Sequence, residues 1–318
     1  MDRILITGGA GFIGSHLTEV LLGRGWEVLC LDNFNKYYSS QIKRRNIEFA
    51  LSHKNYLLIE GDILNLELLE QIFQQHRIKI VVHLAARAGV RPSIVEPLLY
   101  QEVNVKGTTQ LLEMARKYEI EKFVFGSSSS VYGQNEKVPF SEDDAVDHPI
   151  SPYAASKKAG ELICYTYHHL YNIPITCLRF FTVYGPRQRP DMAIHKFTKS
   201  IYLGDPIKMF GDGSSRRDYT YISDIVDGIC HAIEYCKGYH IYNLGESQTI
   251  SLRDLIDLIA KCVQKEPRIE MNPLQPGDVP ITYADISKAK NEINYQPKIQ
   301  VEEGVEKFVR WFVETSPL

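Results

Sequence analysis

Tyr153 and Lys157 stand four residues apart in SPYAASKKAGELICYTYHHL, directly after a Ser-Pro that suits a helix start. Residues i and i+4 share one helix face. An ammonium there is expected to favour a phenolate and bring the tyrosine pKa down from about 10. Such a phenolate takes the proton of a hydroxyl while hydride leaves the same carbon. The spacing alone is cheap, since Tyr118 and Lys122 repeat it. That second pair falls at a helix end and a strand start, where the side chains need not converge. Four serines, Ser127 to Ser130 in GSSSSVYG, follow an apolar run and offer hydroxyls to a substrate oxygen. The bland alternatives are a solvated helix face and a polar turn.

Gly8, Gly11 and Gly14 form GxxGxxG in TGGAGFIGSHL, between a short apolar run and a helical pattern. Glycine lets the backbone approach a pyrophosphate, and the helix N-terminus favours its charge. Glycine turns also join strands for packing reasons alone. The context here is fuller, because Asp32 ends the next apolar run, 18 residues beyond Gly14. A carboxylate at that place accepts from an adenosine ribose and repels a 2′-phosphate, which favours NAD over NADP. Lys36 nearby softens that preference.

These groups need a frame. Arg3–Thr7, Glu27–Asp32, Tyr56–Asp62, Lys79–Ala85, Lys122–Ser127 and Ile173–Phe180 read as strands separated by helix-length stretches. Repeated β-α-β of this kind predicts a Rossmann-type, doubly wound parallel sheet, α/β in class. Unbroken runs such as IVVHLA suit strands buried on both faces. The alternation fades after Phe180, with helical patterns at 223–235, 251–263 and 301–315 and a Pro-rich stretch at 266–280. The expected division is a cofactor domain over residues 1–180 and a smaller α/β substrate lobe over 181–318, with segments near 217–245 returning to the first domain. The 318 residues, 44% hydrophobic and 24% charged, fit such a folded chain and exclude a mainly disordered one. A net charge of −3 gives no support for nucleic acid or an acidic membrane. Six cysteines without a CxxC pair argue for reduced, cytoplasmic thiols and against a zinc site or disulfide framework. No apolar run reaches membrane length, and the early first strand leaves no room for a signal peptide.

Taken together, TGGAGFIGSHL, the acidic strand end, SSSSVYG and Tyr153/Lys157 resemble the extended short-chain dehydrogenase/reductases, in the branch of nucleotide-sugar epimerases and dehydratases. The resemblance covers nearly the whole chain. It implies NAD as a retained cofactor and a UDP-sugar in the second lobe. It also implies a homodimer packed through helices near 97–117 and 153–171. Ser128 matches the hydroxyl residue that works beside the family's tyrosine. Dehydratases of this kind carry Asp-Glu just before VYG, and decarboxylases a Glu. Ser129 and Ser130 stand there instead, which favours 4-epimerisation. Candidate cofactor contacts are Gly8, Gly11, Phe12, Ile13, Gly14, Asp32, Asn33, Asn35 and Lys36. They continue through Asp62, Ile63, Leu84, Ala85, Ala86 and Asn104 to Tyr153 and Lys157.

LDNFNKYYSSQIKRRN, AARAGVRPS, FFTVYGPRQRPDMA and QPGDVPITYAD are similar to UDP-glucuronate 4-epimerases. The resemblance implies that Thr182 and Arg189 hold the sugar carboxylate, and a guanidinium fork suits that group. Arg189 and Arg187 are otherwise ordinary loop cations. Arg217 in RRDYTYISD matches an arginine that contacts the UDP diphosphate. Gln275 stands where galactose epimerases have a second arginine, before Asp278, and Arg91 is the candidate substitute. The remaining substrate candidates are Ser128, Ser129 and Ser130. The expected reaction is UDP-glucuronate to UDP-galacturonate through a 4-keto sugar. UDP-glucose or UDP-N-acetylglucosamine epimerisation is the runner-up, and UDP-glucuronate decarboxylation comes third.

Overall fold

The computed structural model of the chain describes residues 3–273 and 277–316. Seven strands form one parallel sheet, in the spatial order Tyr239–Leu244, Ile175–Phe180, Lys122–Ser128, Ile80–His83, Arg3–Thr7, Glu27–Asp32, Tyr56–Glu60. The order reverses between Arg3–Thr7 and Ile80–His83, which opens a crevice at their C-terminal ends.

Alternation along each strand loads both faces. Ile4, Ile6, Val82, Val124 and Leu178 pack on one side with Leu17, Leu21, Ile225 and Ile229. Leu5, Val81, Phe123, Phe125 and Cys177 pack on the other with Leu69, Ile72, Leu111 and Cys164. Side chains two apart share a face, so these unbroken apolar runs feed two cores. Six cysteines are free, five of them buried.

The helices fall close to their sequence patterns. They include Phe12–Gly23, Ile222–Tyr235, Leu252–Val263 and Val301–Thr315. Pro152–Tyr171 begins with Ser151, whose side chain accepts from the Ala154 N–H at 3.1 Å, and with Pro152 at the first helical position. The helical stretch around 97–117 is not continuous α. Gln101–Lys106 is a π-helical turn between Pro97–Tyr100 and Gly107–Lys117, and such turns concentrate at functional sites.

Residues after Phe180 add short strand pairs beyond the sheet's C-terminal edge. Thr182–Tyr184 pairs with Tyr219–Tyr221, Arg216–Arg217 with Ile250–Ser251, and Pro206–Phe210 with Arg268–Asn272. The last of these lies inside the stretch that the sequence marks only as Pro-rich. Asp218 ties the pieces together, accepting from the N–H groups of Glu246, Ser247 and Ala284. No helix among the described residues is long and apolar enough to cross a membrane.

Candidate active site

The glycine turn lies under a cavity of about 480 Å3. Its geometry leaves no room for side chains. Gly8 has φ +71°, and a Cβ there would sit 2.8 Å from the Ala85 nitrogen. A Cβ on Gly14 would sit 2.4 Å from the Gly8 carbonyl oxygen. Phe12 and Ile13 open the helix, and with Gly11 they line the same cavity. The turn is thus a bare backbone cradle at a helix N-terminus, which fits a dinucleotide pyrophosphate. Asn33, Asn35, Asp62, Ile63, Leu84, Ala85 and Ala86, from neighbouring strand ends, complete the walls.

Asp32 is buried at this cavity. Its carboxylate accepts from the N–H of Ala10 at 3.2 Å and of Phe34 at 2.9 Å. Lys36, the expected neighbour, is exposed and does not line the cavity. The helix Ser40–Asn46 instead brings Lys43 to 3.7 Å from Asp32. Asn104 also stands behind the wall. It accepts from the Arg87 N–H at 2.8 Å and donates to the Arg87 carbonyl and the Ser156 hydroxyl, both at 2.9 Å. Its side chain is fully used in holding the Arg87 loop against the helix that carries Tyr153.

Tyr153, Lys157 and Ser128 to Ser130 line the far end of the same cavity. Ser128 ends its strand and caps the turn Ser129–Tyr132, accepting from the Ser130 N–H and donating to the Ser130 hydroxyl, each at 3.1 Å. Its hydroxyl also acts on Tyr153, easing proton loss there. Ser127 is turned away, donating to Glu161 at 2.7 Å. Behind it, Arg179 grips Glu161 with two bonds of 2.9 Å and donates to the Tyr132 hydroxyl at 2.9 Å. This buried ion pair braces both the serine turn and the Tyr153 helix.

The expected electrostatics of Tyr153 need correction. Burial holds its phenol above the ordinary value, and the opposing influences are the Ser128 hydrogen bond and the Arg189 charge. Lys157 is not the group that lowers it here. Its ammonium donates to the Gly126 carbonyl at 2.6 Å and lies over the Phe125 ring. Burial brings Lys157 down to about 8. The i,i+4 spacing puts both residues on one face, but burial is the largest influence on each.

Thr182 and Arg189 reach the same cavity. Arg189 is half-buried, and its charge is felt at Tyr153. Its Nε and one terminal nitrogen grip Asp191 at 2.9 and 2.7 Å. Arg187 points elsewhere, pairing with Glu19 at 2.7 Å. A second cavity, about 1670 Å3, abuts the first at Met192 and is lined by Arg91, Arg217 and Asp278. Arg217 donates to the Arg216 carbonyl at 2.8 Å, and burial lowers its pKa, as does the charge of Arg91. Arg91 pairs with Asp278 at 2.9 Å. Two guanidiniums therefore face one cavity, a fit for a diphosphate. Gln275 lies outside the described residues.

Sequence reading missed Lys43, Tyr37, Asp191 and the Glu161–Arg179 pair. Two signals were available. Asp191 lies two residues from Arg189 in RPDMA, and Arg179 interrupts an otherwise apolar strand. Lys43 and Tyr37 gave none, because helix docking decides which member of NKYYSSQIKRRN turns inward.

A parallel sheet with a glycine cradle at its reversal point, a serine at a neighbouring strand end and a tyrosine in the first turn of a helix define an extended short-chain dehydrogenase/reductase. The chain belongs to the GDP-mannose 4,6-dehydratase family, whose pattern matches residues 5–308. It is 44% identical to a UDP-glucuronate 4-epimerase of Thermodesulfobacterium geofontis, over 100% of this chain and 98% of that one. The crystal structure of UDP-glucuronic acid 4-epimerase from Bacillus cereus, in complex with UDP-glucuronic acid and NAD, superposes with a TM-score of 0.93. It is 37% identical and covers 99% of this chain and 100% of its own. A UDP-glucose 4-epimerase from Thermotoga maritima, solved with UDP-glucose, has a TM-score of 0.90 at 36% identity, covering 98% and 99%.

Proposed function

We propose that this chain catalyses the NAD-dependent 4-epimerisation of a UDP-sugar, with UDP-glucuronate and UDP-galacturonate as its interconverting pair. Arg189 carries the choice of sugar. It is a half-buried guanidinium whose charge acts on Tyr153, and it already grips a carboxylate, that of Asp191. A neutral sugar offers such a fork only an uncharged hydroxyl, a weaker acceptor than a bidentate carboxylate. The serines at 129 and 130 supply no carboxylic acid for dehydration, so family membership does not carry the dehydratase activity with it.

NAD, lying along the glycine cradle, supplies the reversible hydride acceptor. Tyr153 takes the proton of the sugar 4-hydroxyl and later returns it, and Ser128 bridges that oxygen. Arg217 and Arg91 hold the diphosphate while the 4-keto sugar turns to present its other face. Binding energy from the UDP end permits a loosely held sugar. The 4-keto glucuronate is a β-keto acid and loses carbon dioxide when its carboxylate aligns with the carbonyl π system. Arg189 and Thr182 hold the carboxylate out of that alignment.

The enzyme works as a homodimer in the cytoplasm. Helix Pro152–Tyr171 exposes Leu162, Tyr165 and Leu170, and the neighbouring 90–100 segment exposes Val95 at 80% and Leu98 at 83%. An apolar surface of this kind suits a helix-on-helix interface. Unpaired thiols suit a reducing compartment. The test is incubation of the purified protein with UDP-glucuronate, UDP-glucose and UDP-N-acetylglucosamine separately, with products read by NMR. UDP-galacturonate from the first, faster than any product from the others, is expected. A pentose product, or faster conversion of a neutral sugar, refutes the assignment. The mass in solution tests the dimer.

A further inference from the structure

Arg189 is held from two sides by residues outside the reacting group. Asp191 takes the Nε side of its fork, with bonds of 2.9 and 2.7 Å. The Tyr37 ring lies 5.3 Å from the guanidinium, and the Tyr37 hydroxyl donates to Asp191 at 3.4 Å. Tyr37 is fixed in turn. Its N–H donates to the Asn35 side-chain oxygen at 2.8 Å, which also accepts from Arg87 at 2.7 Å. Arg87 lies 5.2 Å from the Tyr37 ring centre. A guanidinium has two edges that fit a carboxylate, the Nε side and the end formed by its two terminal nitrogens. Asp191 occupies the first. Among the described residues nothing accepts from the terminal nitrogen Nη1, so the end edge stays available in the cavity that holds Tyr153 and Thr182.

We propose that Asp191 and Tyr37 are positioning residues that fix the plane of Arg189, present its end edge to the sugar carboxylate and thereby set the preference for an acidic over a neutral UDP-sugar. This rests on the assignment of UDP-glucuronate above. The pairing has a second effect. Asp191 offsets part of the Arg189 charge, so the geometry of two N–H groups, and not net attraction alone, selects a carboxylate. A neutral sugar gains little from that edge, and its affinity depends little on how Arg189 is held.

The test compares dissociation constants of UDP-glucuronate and UDP-glucose by calorimetry on NAD-loaded full-length protein. A Tyr153→Phe background stops conversion during titration. Asp191→Asn keeps the shape but turns a donor towards a donor. It is expected to weaken UDP-glucuronate about tenfold or more, the value of a charged hydrogen bond, and to leave UDP-glucose within about twofold. Tyr37→Phe keeps the ring and is expected to shift the same ratio by a few-fold in the same direction. With Tyr153 intact, Asp191→Asn is expected to raise KM for UDP-glucuronate more than it lowers kcat. Tighter UDP-glucuronate binding in Asp191→Asn would mean that Asp191 competes with the substrate, and would overturn the proposal. Equal weakening of both sugars, or no change, overturns it as well. Failure of the wild-type protein to epimerise UDP-glucuronate is a separate result, which removes the functional assignment itself.

Discussion

Glu246→Gln is expected to stabilise the protein at alkaline pH and to leave it nearly unchanged at acid pH. Glu246 lies on the loop that Asp218 ties to the Arg216–Arg217 strand. It is 6% exposed. One carboxyl oxygen accepts from Gln300 at 3.0 Å, and the other is buried without a partner. Burial, with the charges of Asp224 and Asp218, raises its pKa from 4.5 to about 8. Below pH 4.5 the folded and unfolded chains both carry the proton, and Glu246 makes stability independent of pH. Between 4.5 and 8 the unfolded chain has released it while the folded chain keeps it, so stability falls as pH rises. Above 8 the folded chain ionises too and the loss is complete. At 1.36 kcal/mol per pKa unit the loss is on the order of 5 kcal/mol. Glutamine has the shape of the protonated acid and does not titrate. For a chain of this size roughly 2 °C of Tm accompanies each kcal/mol, so the variant should gain roughly 10 °C over wild type at pH 9. The assay is thermal unfolding of both proteins at pH 5, 7 and 9, read as the variant-minus-wild-type difference, in which other titrating groups cancel. A difference that stays constant across pH, or a variant less stable at pH 9, refutes the argument.

Tyr153→Phe should retain NAD and the fold but lose turnover by about 100-fold or more, the usual worth of a positioned base. A near-wild-type rate for UDP-sugar epimerisation would remove Tyr153 from that role. Gly14→Ala should abolish NAD retention, because its Cβ would stand 2.4 Å from the Gly8 oxygen and 2.7 Å from the Gly9 Cα, and backbone must move. The check is the NAD content of the purified variant beside its circular dichroism. Normal NAD content would show that the cradle tolerates opening.

The sheet and helices of the first 180 residues were legible because each element carries its own signal. The first three apolar runs end at glycine or an acid, and Ser151-Pro152 marks a helix start by one side-chain hydrogen bond and one fixed φ. The later strands carry no such signal. Arg216–Arg217 is two charged residues, and it is a strand only because Ile250–Ser251, more than thirty residues away, pairs with it. Arg268–Asn272 is exposed or half-buried throughout and owes its form to Pro206–Phe210. Tyr239–Leu244 is mixed in polarity, since it forms the outer strand of the sheet beside Ile175–Phe180. Where a strand's hydrogen bonds depend on a distant partner, local pattern has little to report.

The site divides along the same physical line. Spacing identifies Tyr153 and Lys157 as sharing a helix face, because four residues on a helix fix the distance between two side chains. Spacing says nothing of the medium around them. Burial favours the neutral form of each group, so it raises the phenol and lowers the ammonium. With Lys157 committed to the Gly126 carbonyl, the groups that ease proton loss from Tyr153 come from elsewhere in the chain, Ser128 from a strand end and Arg189 from a loop. Lys36 and Lys43 teach the same lesson at Asp32. Lys36 is nearer in sequence, but the turn of the Ser40–Asn46 helix carries Lys43 inward and leaves Lys36 in solvent. Residue type and local spacing therefore locate the proposed proton carrier, whereas its acidity is set by side chains that only the completed fold brings together. For the same reason the tuning of this site is best probed at Ser128 and Arg189, whose contributions oppose burial, and not at Lys157 alone.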